Sequence, residues 1–168
     1  MARGGNVAVF DLNAERGGEL VSELGDQTAF FECNVMEEES IDAAVAGAHE
    51  KFGALHGAVN CAGGSFGGGL CVNRRGEATD METWWKTVQL NLYSTMAVCS
   101  KVSAISALQD EVTEDGERGV LVNVASAAAP CRGTLLLLLL LTSPHSCRPS
   151  RVVFSNATRT KTLQRGRS

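Results

Sequence analysis

Each of four apolar runs in this chain is closed by polar or very small residues of types able to do chemistry. Asp11 follows Val7-Ala8-Val9-Phe10, and Asn34 follows the run Thr28 to Phe31 by three residues. Asn60-Cys61-Ala62-Gly63 closes Leu55 to Val59, and Ser126 stands just beyond Val120 to Val124. An acid that ends a strand and precedes a helix can accept hydrogen bonds from ribose hydroxyls and repel a 2′-phosphate, which favours NAD over NADP. The same Asp would also serve as a helix N-cap. Small residues such as Ala62 and Gly63 let the backbone approach a ligand closely, and the Asn60 amide can brace neighbouring strands. Asn91 lies inside a helical stretch, where Asn is mildly unfavourable; a solvent-facing position is the plain alternative.

Strand-like and helix-like patterns alternate along the body, and they decide where those residues sit. Asn6 to Phe10, Thr28 to Phe31, Leu55 to Val59 and Val120 to Val124 are short apolar runs suited to buried parallel strands. Between them, Leu12 to Leu24 reads as a helix stopped by Gly25. Ser40 caps a second helix, with Ile41, Ala44, Val45, Ala48 and Phe52 on its apolar side and Gly53 past its end. Ser65 to Asp80 is a glycine-rich loop. Met81 to Leu108 is a long helical stretch containing Trp84, Trp85, Val88, Leu92, Met96 and Cys99. This alternation predicts right-handed crossovers and an α/β fold with a parallel sheet. In such sheets ligands bind at the carboxyl ends of the strands, where Asp11, Asn34, Asn60 to Gly63 and Ser126 all fall.

With 168 residues, 44% of them hydrophobic, the chain is long enough for one domain. Its formal charge of −4 hides an asymmetry: every Asp and Glu lies at or before Glu117, and the rest carries only Arg and Lys. The division expected is 1–130 as folded domain and 131–168 as tail. The tail holds the low-complexity run Leu135 to Leu141, then a Ser/Arg/Thr-rich stretch with Pro144 and Pro149, a composition that favours disorder. Without aromatic interleaving it gives no reason to expect a nucleic-acid partner, and the Leu run is about a third of a membrane span. The six Cys form no C-x-x-C pair and have no His at zinc-like spacing. No metal site is expected, and reduced thiols suit a soluble protein of the cytoplasm or the mitochondrial matrix.

Taken together, Asp11, Asn34-Val35, Asn60-Cys61-Ala62-Gly63, Asn91 and Ser126 resemble the middle of a short-chain dehydrogenase/reductase. The form Asn-Cys-Ala-Gly is similar to the 3-hydroxyacyl-CoA dehydrogenase type II or 17β-hydroxysteroid dehydrogenase branch. The resemblance covers roughly residues 5 to 130. It implies a partial Rossmann-type doubly wound parallel sheet lacking its first strand, and NAD-linked oxidation of a secondary alcohol. It makes Asp11, Asn34, Val35, Asn60, Cys61, Ala62 and Gly63 cofactor contacts. Asn34 stands where the family has Asp, and its amide can still bond the adenine amino group. Ser126 corresponds to the catalytic Ser and Asn91 to the helix Asn that holds a water of the proton relay. The family's Tyr and Lys would fall near 139 and 143, where this chain has Leu139 and Ser143. Its glycine-rich turn has no counterpart, because no strand precedes Gly4-Gly5. The partners implied are a small-molecule substrate and either further copies of the chain or an intact relative of the family. A catalytically incomplete dehydrogenase and a non-catalytic subunit are the two functional expectations. Two unpaired strand edges where the first strand is lacking make poor solubility a third.

Overall fold

Short runs rich in Val, Ala and Phe form the strands; Ala8, Val9 and Phe10 of the first are buried, whereas Val120, Leu121 and Val122 of the fourth are exposed. The computed structural model describes residues 4–67, 71–72, 75–110 and 116–124, together with the backbone of Val152–Ser155. Ser126, Leu135 to Leu141, Leu139 and Ser143 lie outside the described residues, as does most of the stretch read as a tail. Strand β1 (Val7–Asp11) leads into helix α1 (Ala14–Leu24), then β2 (Thr28–Glu32), α2 (Glu38–Phe52) and β3 (Gly57–Asn60). Helix α3 (Met81–Val88) passes through a π-helical turn (Gln89–Tyr93) into α4 (Ser94–Ala107), followed by β4 (Val120–Asn123) and β5 (Val152–Ser155).

β1 and β2 pair in parallel from Val7 opposite Thr28 to Asp11 opposite Glu32. β3 and β4 do so from Gly57 opposite Val120 to Asn60 opposite Asn123. The core lies between this sheet and its helices: Ala8, Phe10, Ala58 and Leu55 meet Ile41, Ala44, Val45 and Ala48 of α2 and Val98 and Val102 of α4. Phe10 and Phe31 meet edge to face, with ring centroids 5.8 Å apart. The thiol of Cys33 sits inside this core, and burial pushes its pKa up.

The sheet order is β2-β1-β5-β3-β4. In the Rossmann order 3-2-1-4-5-6 the position between the second and fourth strands belongs to the first. Here β5 fills it, antiparallel to β1 from Phe10 opposite Val152 to Val7 opposite Ser155, and antiparallel to β3 at Val59 and Asn60. The α/β architecture with parallel pairs is as the sequence predicts. The strand Val152–Ser155 closes the gap between β1 and β3. The physical reason is the pair of unpaired edges facing each other across that gap, and Val-Val-Phe is among the strongest strand-forming material available.

Three local readings shift as well. Asn13, not Asp11, caps α1, its side chain accepting from Arg16 N. Ser40 lies inside the first turn of α2, and its hydroxyl accepts from Asn34 N at 2.9 Å instead of capping. The apolar residues of the long helix are also not all inward. Met81, Trp85, Leu92 and Met96 are exposed, while Thr87, Asn91, Ser94, Val98 and Val102 face the protein.

Gly57 is fixed by a close approach. A Cβ there would lie 2.3 Å from the carbonyl oxygen of Val120, its neighbour in the ladder. Backbone cannot retreat as a flexible side chain can, so Gly57→Ala should cost about 1–3 kcal/mol through parting of β3 and β4. A urea-unfolding midpoint displaced by less than the equivalent of about 0.5 kcal/mol would contradict this.

A surface network ties α2 to α4. Lys101 reaches Glu38 at 3.1 Å and Asp42 at 2.5 Å, and the Tyr93 hydroxyl donates to Glu38 at 3.1 Å. The hydrogen bond from Lys101, and then that from Tyr93, hold the Glu38 carboxyl below the usual glutamate range. A depressed folded-state pKa gives a contribution that is complete above the ordinary value near 4.3 and is lost as pH falls through the folded value. Glu38→Gln should therefore lower the melting temperature at neutral pH, with the difference from the parent closing in acid. A difference that persists undiminished at about pH 2 would refute the assignment.

Candidate functional site

The carboxyl ends of β1 and β3 bring the predicted residues to one end of the sheet. Asp11 ends β1, half-buried; its Oδ1 accepts from Asn13 N at 2.9 Å, and its carbonyl accepts from Cys33 N at 3.0 Å. The carboxylate thus has a fixed direction and a second oxygen with lone pairs to offer. Asn34 begins the loop after β2. Its Oδ1 accepts from Met36 N at 3.1 Å, and its Nδ2 donates to Glu37 Oε1 at 2.7 Å. Its amide therefore already shapes its own turn. Val35 is a core residue.

Asn60 ends β3 and is 4% exposed. Its Nδ2 donates to Asn123 Oδ1 at 2.8 Å and lies 3.2 Å from the Cys99 sulfur. The two asparagines occupy matching register positions on adjacent parallel strands, so this bond clamps β3 to β4 at the carboxyl end. Asn60 Oδ1 is buried and has no protein partner among the described residues. Cys61, Ala62 and Gly63 follow, half-buried, outside regular secondary structure beyond the end of β3.

Asn91 is 2% exposed in the π turn. Its Nδ2 donates to Gly64 O at 2.7 Å and to Thr87 O at 2.6 Å, and its Oδ1 accepts from Gly64 N at 3.0 Å. One side chain thus holds both backbone groups of Gly64 and fixes the loop after Asn60 to Gly63. The π turn is what presents it. Single π turns inside α-helices are frequent at functional sites. The carbonyls around this one are taken up by the Ser94 hydroxyl on Leu90 O at 2.5 Å and the Thr95 hydroxyl on Asn91 O at 2.7 Å. The Thr87 hydroxyl adds a second latch, accepting from Phe66 N at 3.2 Å.

The structure brings Asp11 and Asn60 to Gly63 to the two sides of the β5 position. Asn91 supports the second group from behind, and Ser126 lies outside the described residues. Reading along the sequence assigns no bracing role to Asn123, Gly64 or Thr87, although Asn123 and Gly64 stand at the ends of the apolar runs that place them here. The signal for Asn123 was present: an Asn closing the fourth apolar run just as Asn60 closes the third. Among the described residues no group of three or more His, Cys, Asp or Glu could hold a metal ion, and no helix is long and apolar enough to cross a membrane.

A dinucleotide fits one part of this end of the sheet and not another. Asp11 offers the oriented carboxylate a ribose needs, and Asn60 to Gly63 offer close backbone approach. A pyrophosphate needs the turn and helix N-terminus that follow a central strand. β5 runs the opposite way, starting at this end and leaving at the other, so among the described residues no turn leading into a helix follows this central strand at the carboxyl end.

Two parallel strand pairs, crossover helices and polar residues gathered at the carboxyl ends define an α/β domain of the Rossmann class. The family described as enoyl-(acyl carrier protein) reductase matches residues 1–133. 3-Hydroxyacyl-CoA dehydrogenase type-2 of Drosophila melanogaster is 35% identical over 127 residues, 76% of this chain and 49% of that protein. The Bos taurus protein of the same name is 32% identical over 129 residues, 77% of this chain and 49% of that protein. The crystal structure of 3-hydroxyacyl-CoA dehydrogenase type-2 from Mycobacterium avium superposes with a TM-score of 0.66 at 39% identity, covering 73% of this chain and 47% of that one. The chain belongs to the short-chain dehydrogenase/reductase family, and it spans about half the length of the curated relatives it matches.

Proposed function

We propose that this chain is the nucleotide-side half of an NAD-linked secondary-alcohol dehydrogenase, acting by descent on a 3-hydroxyacyl-CoA or hydroxysteroid-like substrate and catalytically incomplete as it stands. The observation that carries the reading is the pairing of Asp11 with Asn60 to Gly63 across one end of the sheet, the second group braced by Asn123 and Asn91. In this reading Asp11 takes the adenosine ribose, Asn34 and Val35 lie toward the adenine, and Asn60, Cys61, Ala62 and Gly63 lie along the cofactor's path. Ser126 would steady the substrate oxygen, and Asn91 would support the relay. NAD supplies hydride acceptance when bound. What this chain's own residues do is orient the ribose and hold the loop, and no proton-transfer step is assigned to them.

The test is titration with adenosine-containing ligands followed by calorimetry. Adenosine and AMP should bind about as well as NAD, since the pyrophosphate finds no cradle, and Asp11→Ala should abolish binding of all three. NAD binding at least a hundredfold tighter than AMP would overturn the incomplete reading, because the phosphates would then be held.

A second reading is favoured by one observation. Met81, Trp85, Leu92 and Met96 are 44–66% exposed along the α3–α4 stretch, an apolar stripe that suits a subunit interface. As a non-catalytic subunit, the chain would pair through this stripe with further copies or with an intact family member. Co-expression with such a dehydrogenase tests it: mixed oligomers of altered activity support pairing, and clean separation by size exclusion removes it.

A further inference from the structure

β5 starts at the topological switch point of the sheet. From β1 the chain builds outward to β2 on one side, and from β3 outward to β4 on the other, so the winding reverses between β1 and β3. In open α/β sheets the crevice outside the strand carboxyl ends at such a reversal is where a ligand settles. Asp11 closes one wall of this crevice and Asn60 the other. β5 is antiparallel to both walls, so its first residue lies at the same end. Val152 stands opposite Phe10, one residue short of Asp11, and opposite Asn60 itself.

The pairing along β5 is uneven. Val152 and Val153 each pair with both neighbours, Phe10 and Val9 on β1 and Asn60 and Val59 on β3. Phe154 and Ser155 pair with β1 alone. β5 is therefore held from both sides only over the two residues at the crevice floor. Asn60, opposite Val152, meanwhile keeps a buried side-chain oxygen with no partner among the described residues. With β5 seated, the desolvation of that acceptor goes uncompensated.

We propose that β5 is an internal competitor for this crevice: seated between β1 and β3 it opposes binding of an adenine nucleotide, and the bound nucleotide expels it. The inference rests on the nucleotide reading given above. The two halves of the sheet have a second connection that expulsion leaves intact. α2 packs on β2, α4 packs on β3, and the two helices pack on each other. Lys101 of α4 adds its ion pairs to Glu38 and Asp42 of α2. A ligand moves such an equilibrium only through its preference for one state, and its apparent affinity falls with the fraction of chains in that state. Loosening β5 must then strengthen nucleotide binding, and nucleotide must loosen β5 by the same coupling.

Amide exchange of the full chain, with and without AMP, tests the second half of that statement. Saturating AMP should speed exchange within Val152–Ser155 at least tenfold, while β2 and α2 keep their protection and report an intact body. Val153→Pro tests the first half, since it removes a ladder donor from a strand flanked on both sides. The variant should bind AMP at least fivefold more tightly by calorimetry. Binding by the variant and none by the parent would be the same result in its extreme form. If the variant loses the protection of β2, exchange in the parent decides alone. AMP that binds without speeding exchange in β5, or a folded variant that binds no tighter than the parent, would overturn the inference and leave the nucleotide reading standing. No AMP binding by the parent or by the folded variant would overturn both.

Discussion

Given NAD and a 3-hydroxyacyl-CoA, the chain should form NADH at least roughly 10²–10⁴-fold more slowly than an intact family member, the range a positioned acid–base group contributes. The argument rests on which groups can exchange a proton. Leu139 and Ser143 stand where the resemblance places Tyr and Lys, and the only tyrosine in the chain is Tyr93. Tyr93 cannot take over. Its hydroxyl donates to Glu38 Oε2 at 3.1 Å on the surface between α2 and the π turn. That hydrogen bond, reinforced by the Glu38 charge, raises its pKa, the wrong direction for a group that must give up its proton near neutral pH. Tyr93→Phe should accordingly leave any residual turnover unchanged. NADH absorbance under saturating substrate measures both, and a rate within tenfold of an intact enzyme would defeat the incomplete reading.

The strands were legible because their signal is local. Val7–Asp11 and Thr28–Glu32 fall within a residue of the apolar runs that predict them, and Gly25 and Gly53 stop the helices where expected. Locality also explains the misreadings. Asp11, Asn13 and Ser40 are all good caps by type, and only the folded backbone decides that Asn13 caps α1 while Ser40 serves Asn34. The site's bracing was less legible still. Asn60 and Asn123 are 63 residues apart, and Asn91 and Gly64 are 27 apart. Nothing in either neighbourhood announces its partner. The π turn is invisible for a related reason: Asn91, which it carries, bonds Gly64, 27 residues away in the chain. β5 required knowing that two strand edges would face each other across a gap.

Replacing Asn91 with Ala should destabilise the protein by about 2–4 kcal/mol, the scale of a buried hydrogen-bond network broken on one side. The loss comes mostly from what is left behind. Gly64 N–H, Gly64 C=O and Thr87 C=O each lose a partner that a methyl group cannot replace. The loop from Cys61 to Gly67 would also lose one of the latches between it and the helix; Thr87 on Phe66 N remains. Amide exchange at Gly64 should therefore rise more than exchange in β1, distinguishing a loosened loop from general unfolding. Asn91→Asp separates donor from acceptor. A carboxylate can still accept from Gly64 N, but its other oxygen would face the Gly64 and Thr87 carbonyls, so burial and those oxygens would raise its folded-state pKa. A raised pKa makes the favourable contribution complete below the unfolded value and lost as pH rises through the folded one. The Asp variant should thus lie closest to the parent in acid, with the gap widening toward neutral pH, whereas the Ala variant's deficit stays level. Urea midpoints at about pH 4 and pH 7 decide it: equal deficits for Asp at both would mean that Asn91 fills space rather than holding Gly64.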